Sequence, residues 1–155
     1  MDKAFIMAKI VESLEADLKK ATAAALESAE SATHEESKSE GKYDTRGLET
    51  SYLATGQAHH ARDLREALAA ARTFSPPDFD SASPVALGAV VQTLSSQGRE
   101  LFFLGPASGG MDMQIDNGQT LTVVSPKSPV GRELIGSKVG DRLSAGGGKT
   151  VLQIW

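Results

Sequence analysis

The sequence predicts an α+β protein, in which an antiparallel α-helical coiled-coil hairpin is followed by a small antiparallel β domain with one short helix. Residues 1–72 contain no proline and are rich in Ala, Glu, Lys and Leu, whereas residues 73–84 contain three prolines. Proline removes a backbone donor and clashes with the preceding turn, so no helix continues through this stretch. Beyond it, Gly, Val, Ser and Thr predominate. We therefore expect a hairpin at 1–74, a Pro/Ser linker at 75–84 and a β domain at 85–155.

The hairpin is predicted from apolar residues that recur at spacings of three and four, the pattern of an amphipathic helix with a coiled-coil seam. The first stripe contains Met7, Ile10 or Val11, Leu14, Leu18, Ala21 and Ala25. The second contains Leu48, Tyr52, Ala54, Ala58, Ala61, Leu64, Leu68 and Ala71. Two helices of about 30 residues, joined by the polar residues near 33–45, form a hairpin about 45 Å long with an acidic tip.

The second part of the chain consists of short apolar and β-branched runs between turn residues. Strands are predicted at 85–94, 99–104, 111–115, 120–124, 139–143 and 151–155. Asp116-Asn117-Gly118 is a hairpin-turn signal between the third and fourth of them. Ser128 is predicted to cap a short helix that begins at Pro129 and stops at Gly136, since proline suits a first turn and glycine the position after the last.

Composition excludes several classes of protein. The absence of cysteine excludes disulfides, thiolate metal sites and cysteine nucleophiles. No apolar run reaches the roughly 18–20 residues that cross a bilayer, and the first residues lack the layout of a signal peptide. We therefore expect a cytoplasmic protein without a membrane partner. The net charge of −4 argues against binding to free DNA, which requires clustered cations that face phosphates.

No self-contained active site is predicted. Gly146-Gly147-Gly148-Lys149-Thr150 resembles the end of a phosphate-binding loop, but Leu143 stands where that loop needs a glycine and no helix can follow. His59 and His60 would point about 100° apart on a helix and cannot share a metal ion. His34 has no partner at metal-ligand spacing. We therefore expect no intrinsic cofactor and no enzyme activity of the chain on its own.

The predicted hairpin tip concentrates carboxylates, and the sequence leaves two explanations open. The acidic residues between 27 and 44 are Glu27, Glu30, Glu35, Glu36, Glu40 and Asp44. On one explanation this is a solvated turn, because Thr33 with Glu36 and Ser37 with Glu40 match helix capping boxes. On the other, a thin arm delivers carboxylate oxygens to a metal ion in another protein, for which Mg²⁺ is suited because it accepts one or two carboxylates and keeps waters.

The segment from Ser125 to Asp141 (SPKSPVGRELIGSKVGD) resembles the C-terminal signature of the bacterial Gre transcript cleavage factors. Phe103-Leu104-Gly105-Pro106 and Gly147-Gly148-Lys149-Thr150 are similar to two further motifs of that family, and the order of the parts agrees. The resemblance implies an FKBP-like C-terminal domain that binds RNA polymerase. Its implied polymerase-binding residues are Ser125, Pro126, Arg132 and Ile135.

The resemblance also implies a function for the hairpin. In that family the hairpin enters the secondary channel of RNA polymerase, and tip acids act on the Mg²⁺ of the polymerase active site to stimulate cleavage of backtracked RNA. The matching candidates here are Glu36, Glu40 and Asp44, with Glu35 in reserve. Glu40 and Asp44 are the expected metal ligands, only in the complex with polymerase. Contact with the nascent RNA would be indirect.

The tip departs from the family pattern, so more than one function stays open. Ser37 stands where the family has its first acid, and Gly41 stands where it has asparagine. The first function is a transcription elongation factor that stimulates RNA cleavage. The alternative is a non-cleaving regulator that occupies the same channel and modulates initiation or nucleotide entry. A third is a hairpin scaffold for an unrelated partner. In each case we expect a monomer.

Overall fold

The structure, a computed structural model, describes residues 1–38, 45–115, 118–144 and 148–155, and within the two long helices it describes side chains up to His34 and from Leu48 onwards. The order of elements is two long helices, four strands, a short helix and two strands, which confirms the predicted α+β class. The elements are α1 (Lys3–Lys38), α2 (Thr45–Thr73), β1 (Val90–Ser95), β2 (Gly98–Leu104), β3 (Asp112–Gln114), β4 (Thr120–Val124), α3 (Pro129–Leu134), β5 (Arg142–Leu143) and β6 (Lys149–Ile154).

The chain forms two compact units. The helical unit is Val11–Ala69, and the β unit combines Met1–Ile10 with Ala70–Trp155. The sequence-based boundaries differ from these, since they assign all of residues 1–74 to the hairpin; the boundaries at 74 and 84 stay predictions. No helix within the described residues has the length and hydropathy that crossing a membrane requires.

In the helical unit, α1 and α2 lie side by side. One groove is lined by residues of both helices: Asp17, Lys20, Ala21 and Ala24 of α1, and Gln57, His60 and Leu64 of α2. The two sets are about equally distant from the helix ends that flank residues 39–44, so the helices run antiparallel. This confirms the predicted hairpin. At 1.5 Å per residue, the 36 residues of α1 extend about 54 Å.

The seam between the helices agrees with the prediction on α1 and differs from it on α2. Leu14 and Ala21 of the first stripe are buried. On α2 the residues that turn inward follow a heptad spacing that comprises Thr50, Ala54, Gln57, Ala61, Leu64 and Leu68, all buried or half-buried. Leu48, Tyr52 and Ala58 were predicted in this stripe and are exposed, so the prediction is wrong there. Leu48 and Tyr52 each lie two residues, or about 200° of helix rotation, from Thr50.

The β unit contains one six-stranded mixed sheet with the strand order β3-β4-β2-β1-β6-β5. Strands β1 and β2 form an antiparallel hairpin, and β6 pairs antiparallel with the other edge of β1. However, β2 and β4 are parallel, with Leu101 opposite Leu121 and Leu104 opposite Val124. The sheet predicted as antiparallel is therefore a mixed sheet, since this pair is parallel.

The parallel pair arises because β3, the strand that follows β2 in the chain, is not the neighbour of β2 in the sheet. Residues 105–111 carry it past the place of β4 to the sheet edge, where β3 forms, and β4 returns between β3 and β2. Ser108 and Gly110 have φ of 58° and 95°, which fits a tight reversal. The Gly110 N–H donates to the Val123 carbonyl at 2.7 Å and the Gly105 N–H to the Val124 carbonyl at 3.0 Å. These two bonds hold the connection against β4.

Three predicted strands are shorter in the structure, and two of them lose three or more residues. Residues 85–89 precede β1 without joining it, because the Ala89 N–H closes a turn onto the Ala86 carbonyl and Gly88 has a φ of 89°. Residues 139–141 precede β5, because Gly140 has a φ of 94° and interrupts the extended backbone. Two other elements agree with the prediction. Strand β4 occupies the predicted residues 120–124, and helix α3 begins at Pro129 as predicted.

One hydrophobic cluster of the β unit links the sheet to α3. Its members come from every strand but β3, from α3 and from the residues before β1: Val85, Ala89, Val91, Phe102, Leu104, Val124, Leu134, Leu143, Val151 and Ile154. Apart from Phe102 the members of this cluster are aliphatic, and a second phenylalanine, Phe103, is fully buried in the same unit.

Residues 74–83 are fixed to the rest of the β unit by specific contacts. Gly88 lies so close to Phe74, Pro76 and Pro77 that an added Cβ would lie 2.9 Å from the Pro77 Cδ. Lys3 donates to the Pro77 carbonyl, and its Nζ lies 4.5 Å from the centre of the Phe79 ring. Burial lowers the pKa of Lys3, and the nearby Asp78 carboxylate partly opposes that shift. Part of the segment predicted as a linker is therefore packed against Lys3 and Gly88 of the same unit.

The Asp80 carboxylate accepts the hydrogen bonds that form a turn in this segment. Titration of Asp80 therefore tests whether the turn is present. Its Oδ1 accepts from the Ser83 hydroxyl at 2.6 Å and from the N–H groups of Ser83 and Ala82 at 2.7 and 3.0 Å. These bonds, the Ser83 hydroxyl first, lower the pKa of Asp80 below its ordinary value of 3.8.

We expect Ser83→Ala to raise the pKa of Asp80 toward that ordinary value, because the substitution removes the largest stabilisation of the carboxylate. Since a lowered carboxyl pKa stabilises the folded state above the unfolded pKa, the contribution of this turn is lost as the pH falls through the folded pKa. Carboxyl NMR titration of Asp80 in the unmodified protein and in Ser83→Ala measures the shift. An unchanged Asp80 titration would contradict the turn.

Candidate partner-binding site

The segment that carries the Gre-like signature begins with a β-turn. The Ser128 N–H donates to the Ser125 carbonyl at 3.0 Å, and Pro126 occupies the second position of the turn, where its fixed φ is favoured. The Ser128 hydroxyl also donates to the Ser125 carbonyl, at 2.8 Å. The Ser125 carbonyl therefore accepts two bonds from one residue, which fixes the start of α3.

Helix α3 follows with the predicted cap. Ser128 is extended at its N-cap, and its Oγ accepts from the Gly131 N–H at 3.0 Å. Gly131 is buried against the Ser125 carbonyl, so that an added Cβ would lie 2.0 Å from the carbonyl oxygen. No side chain fits at that distance. The glycine is therefore required by the close approach of the helix to the turn.

The end of α3 is tied to the residues that precede β1. Leu134 is fully buried, and the chain then reverses at Gly136, whose φ is 80°. The Gly136 N–H donates to the Val85 carbonyl at 2.8 Å, and the Val85 N–H donates to the Ser137 carbonyl at 2.8 Å. A second turn follows, in which the Lys138 N–H donates to the Asp141 carboxylate at 2.8 Å. The signature thus forms one continuous ordered segment, Ser125–Asp141.

This segment leaves a cation and two apolar side chains on the surface. Arg132 is exposed on α3. Ile135, at the C-cap of α3, is 48% exposed, and Val139 is 41% exposed. Exposed apolar side chains flanked by cations are typical of protein-binding surfaces, in which arginine is enriched. The segment is therefore a candidate partner-binding site.

The four residues predicted to bind polymerase fall into two groups. Arg132 and Ile135 are exposed and accessible to a partner. Ser125 and Pro126 are half-buried, and Ser125 serves the fold through its carbonyl. Val139 was not among the predicted residues; its exposure results from the turn at Gly140, where the sequence predicted a strand. The polymerase-binding role of all four stays a prediction.

The predicted tip residues lie outside what the structure describes. Glu40 and Asp44 belong to the undescribed residues 39–44, and Glu35 and Glu36 lie on α1 beyond His34, the last α1 residue with a described side chain. The described backbone places the end of α1 at Lys38 and the start of α2 at Thr45. The role of these carboxylates as metal ligands stays a prediction.

The histidines and the glycine-rich stretch were not predicted to form a metal or phosphate site, and the described residues show none there. His34, His59 and His60 are exposed. Within the residues that the structure describes, no group of three or more histidine, aspartate or glutamate side chains could hold a metal ion. Lys149 and Thr150 belong to β6, so the glycine-rich stretch before them leads into a strand and not into the helix of a phosphate-binding loop.

Sequence analysis missed an ion pair within the sheet. The Nζ of Lys149 on β6 lies 2.7 Å from each carboxylate oxygen of Glu100 on β2, and 4.8 Å from the centre of the Phe102 ring. The Lys149 side chain is only 8% exposed and that of Glu100 is 38% exposed. The two residues are 49 positions apart, with β1 between their strands. No local pattern indicates such a pair.

The architecture is that of an α+β protein with a helical hairpin followed by a mixed sheet and one short helix. Among solved structures, the chain is similar to GreA factor homolog 1 (Gfh1) of Thermus thermophilus, with 20% identity over 94% of each chain and a TM-score of 0.35. It is similar to a structure of the transcription factor Gfh1, with 19% identity over 93% of this chain and 92% of that one and a TM-score of 0.39. It is also similar to Gfh1 of Thermus aquaticus, with 22% identity over 92% of each chain and a TM-score of 0.33. No protein-family model matches the chain, and no curated protein matches it.

Proposed function

We propose that the protein is a Gre-type transcription factor that binds RNA polymerase and places its hairpin in the secondary channel. The observation that carries the proposal is the signature segment Ser125–Asp141. Its serine, proline, glycine and aspartate residues each serve a defined turn, cap or close contact, while Arg132, Ile135 and Val139 remain on the surface. The likeness to the Gre signature therefore extends over one structural element, and the exposed side chains of that element are available to a partner.

The hairpin supports the same proposal. Helices of 36 and 29 residues are separated by only six residues, which include Glu40 and Asp44. The 28 residues of α1 that belong to the helical unit extend about 42 Å, which is long enough to reach a site deep in a partner. The tip acids Glu36, Glu40 and Asp44 would supply oxygen ligands to the Mg²⁺ of the polymerase active site. The protein would then be a regulatory factor, monomeric and without a cofactor of its own, and RNA polymerase would be the enzyme.

Two functions of the channel-bound protein are distinguished by one experiment. RNA cleavage is measured in purified, artificially backtracked elongation complexes with Mg²⁺, with and without the protein. A cleavage factor accelerates release of short 3′ RNA fragments, and Glu40→Ala abolishes the acceleration without changing affinity. Binding without acceleration favours the non-cleaving regulator, which the Ser37 and Gly41 departures at the tip support.

For polymerase binding itself, we expect Ile135→Ser to raise the dissociation constant by about tenfold or more, because a central apolar contact is lost. Competition with a labelled channel factor measures the affinity. Leu94→Ser is the matched control, since Leu94 is a similarly exposed aliphatic residue in the same unit, at 43%, and lies on β1. Equal affinity of both variants and the unmodified protein would contradict the assigned surface, and no binding by the unmodified protein would refute the proposed function.

A further inference from the structure

The half of the helical unit next to residues 39–44 has an unusual distribution of apolar side chains. Four large apolar residues lie there on the outside and define what we call the distal surface: Leu26, Leu48, Tyr52 and Leu53. Their exposed fractions are 63%, 58%, 73% and 56%, whereas no other large apolar side chain of the described residues exceeds 48%. The four most exposed large apolar residues of the described structure are thus concentrated in one part of the molecule.

The seam in the same half is built from small and polar residues. The buried or half-buried positions described there are Ala24, Ala25, Ser28 and Ala32 of α1, and Thr50, Ser51, Ala54 and Gln57 of α2. Farther from the tip, the seam uses leucines at 14, 18, 64 and 68. Leu26, Leu48, Tyr52 and Leu53 are therefore mostly exposed and contribute little to helix packing. Since water-exposed apolar area is unfavourable and promotes association, a binding role accounts for their position.

Charge restricts what can cover this surface. Residues 24–58 contain seven acidic and three basic side chains, a balance of −4, and the remainder of the chain contains 13 of each. The distal half therefore carries the entire net charge of the protein. A second copy of the chain, a nucleic acid and an anionic lipid surface are all repelled by it, whereas a positively charged protein surface is attracted.

The placement of the four residues adds a geometric restriction. Leu26 lies on α1, whereas Leu48, Tyr52 and Leu53 lie on α2, with Leu48 and Tyr52 one helical turn apart. A partner that covers all four must contact both helices. A cleft or channel that encloses the hairpin meets this requirement. Tyr52 is the most exposed of the four and belongs to a residue type enriched in protein interfaces.

We propose that the distal surface is a hydrophobic anchor for a positively charged protein cleft with apolar walls. The partner is RNA polymerase, and in this the inference rests on the proposed function. The anchor deepens that function, because it assigns part of the affinity to the shaft of the hairpin, separate from the tip carboxylates and from the segment Ser125–Asp141.

The test measures the affinity of the full-length protein for RNA polymerase core enzyme in two double variants, L48S/Y52S and L26S/L53S. We expect the dissociation constant to rise about tenfold or more in each. Leu94→Ser is again the control and leaves it unchanged. Because the altered side chains are exposed, circular dichroism and melting temperature stay those of the unmodified protein.

A salt series separates the two components of binding. Added salt weakens the attraction between the acidic distal half and the partner. We expect the ratio of the dissociation constants of L48S/Y52S and the unmodified protein to persist at high salt, because salt does not screen the apolar contact. If the distal variants bind as the unmodified protein does while Ile135→Ser is impaired, the anchor is refuted and the proposed function stands. If the unmodified protein does not bind polymerase, both fail.

Sedimentation of the unmodified protein tests whether a second copy of the chain covers the distal surface. We expect a monomer across the concentrations used for binding. A dimer that dissociates on the L48S/Y52S change would show that a second copy covers the distal surface, and would overturn the proposal.

Discussion

Gly131→Ala is expected to lower the free energy of unfolding of the protein by about 3 kcal/mol or more, at the upper end of overpacking effects. The new Cβ would lie 2.0 Å from the Ser125 carbonyl oxygen and 2.9 Å from its carbon. Both are backbone atoms, and the carbonyl is held by two bonds from Ser128. Neither side of the contact can yield without breaking the turn or the cap.

Urea unfolding followed by circular dichroism and by the fluorescence of Trp155, the single tryptophan, measures this loss. Gly56→Ala is the matched control, because Gly56 also lies within a helix and an added Cβ there meets nothing within 4 Å. The control is expected to stabilise by about 0.5–1 kcal/mol, since alanine is the better helix former. A Gly131→Ala protein that unfolds like the unmodified one would refute the close approach of α3 to Ser125.

The same substitution has a functional consequence under the proposed role. Arg132 follows Gly131 directly, and Ile135 ends the helix that Gly131 positions. A helix displaced from Ser125 moves both exposed residues together. Gly131→Ala should therefore weaken polymerase binding in any fraction of the protein that remains folded, and Gly56→Ala should leave it unchanged.

Removing Glu100 is expected to produce the second large effect. Glu100→Ala leaves the ammonium of Lys149, whose side chain is 8% exposed, without its counter-ion beside the Phe102 ring. Loss of one partner from a fully buried pair costs about 3–5 kcal/mol. Here the Glu100 side chain is 38% exposed, so solvent screens part of the interaction and we expect about 2 kcal/mol.

The double variant Glu100→Leu with Lys149→Met is the decisive control. It removes both charges and keeps apolar volume at both positions, and buried ion pairs replaced in this way are often neutral or more stable. We therefore expect the double variant to recover most of the stability that Glu100→Ala loses in urea unfolding. A double variant as unstable as the single one would mean that packing, and not the uncompensated charge, causes the loss.

Several elements could be predicted from the sequence because their signals are local. The β4 strand was predicted at its observed residues, since the β-branched run at 120–124 follows a hairpin-turn signal. The start of α3 was predicted because Ser128 and Pro129 are a capping residue and a first-turn residue in sequence. Of the residues predicted to bind polymerase, Arg132 and Ile135 are exposed, whereas the Ser125 carbonyl is committed to the turn. Their binding role stays a prediction.

The incorrect predictions for the α2 seam and for the β2–β4 pair share a physical cause. In both cases the observed arrangement depends on how other segments of the chain pack. Leu48 and Tyr52 are spaced like seam residues, yet the phase of α2 is set by Ala61 and Leu68, which leaves both outside. The parallel β2–β4 pair follows from the route of residues 105–111, which a list of strands does not specify.

The sequence alone determined the division into a helical part and a β part, because proline positions and hydrophobic periodicity act within a few residues of themselves. It also determined the helix cap, the acidic character of residues 27–44 and the resemblance to the Gre signature. Only the tertiary structure decided which apolar residues of the hairpin face outward, that Gly131 lies against the Ser125 carbonyl, and that Lys149 pairs with Glu100. Each of these depends on how separate segments pack, since a side chain's exposure and an ion pair are properties of the packed arrangement and not of any one segment.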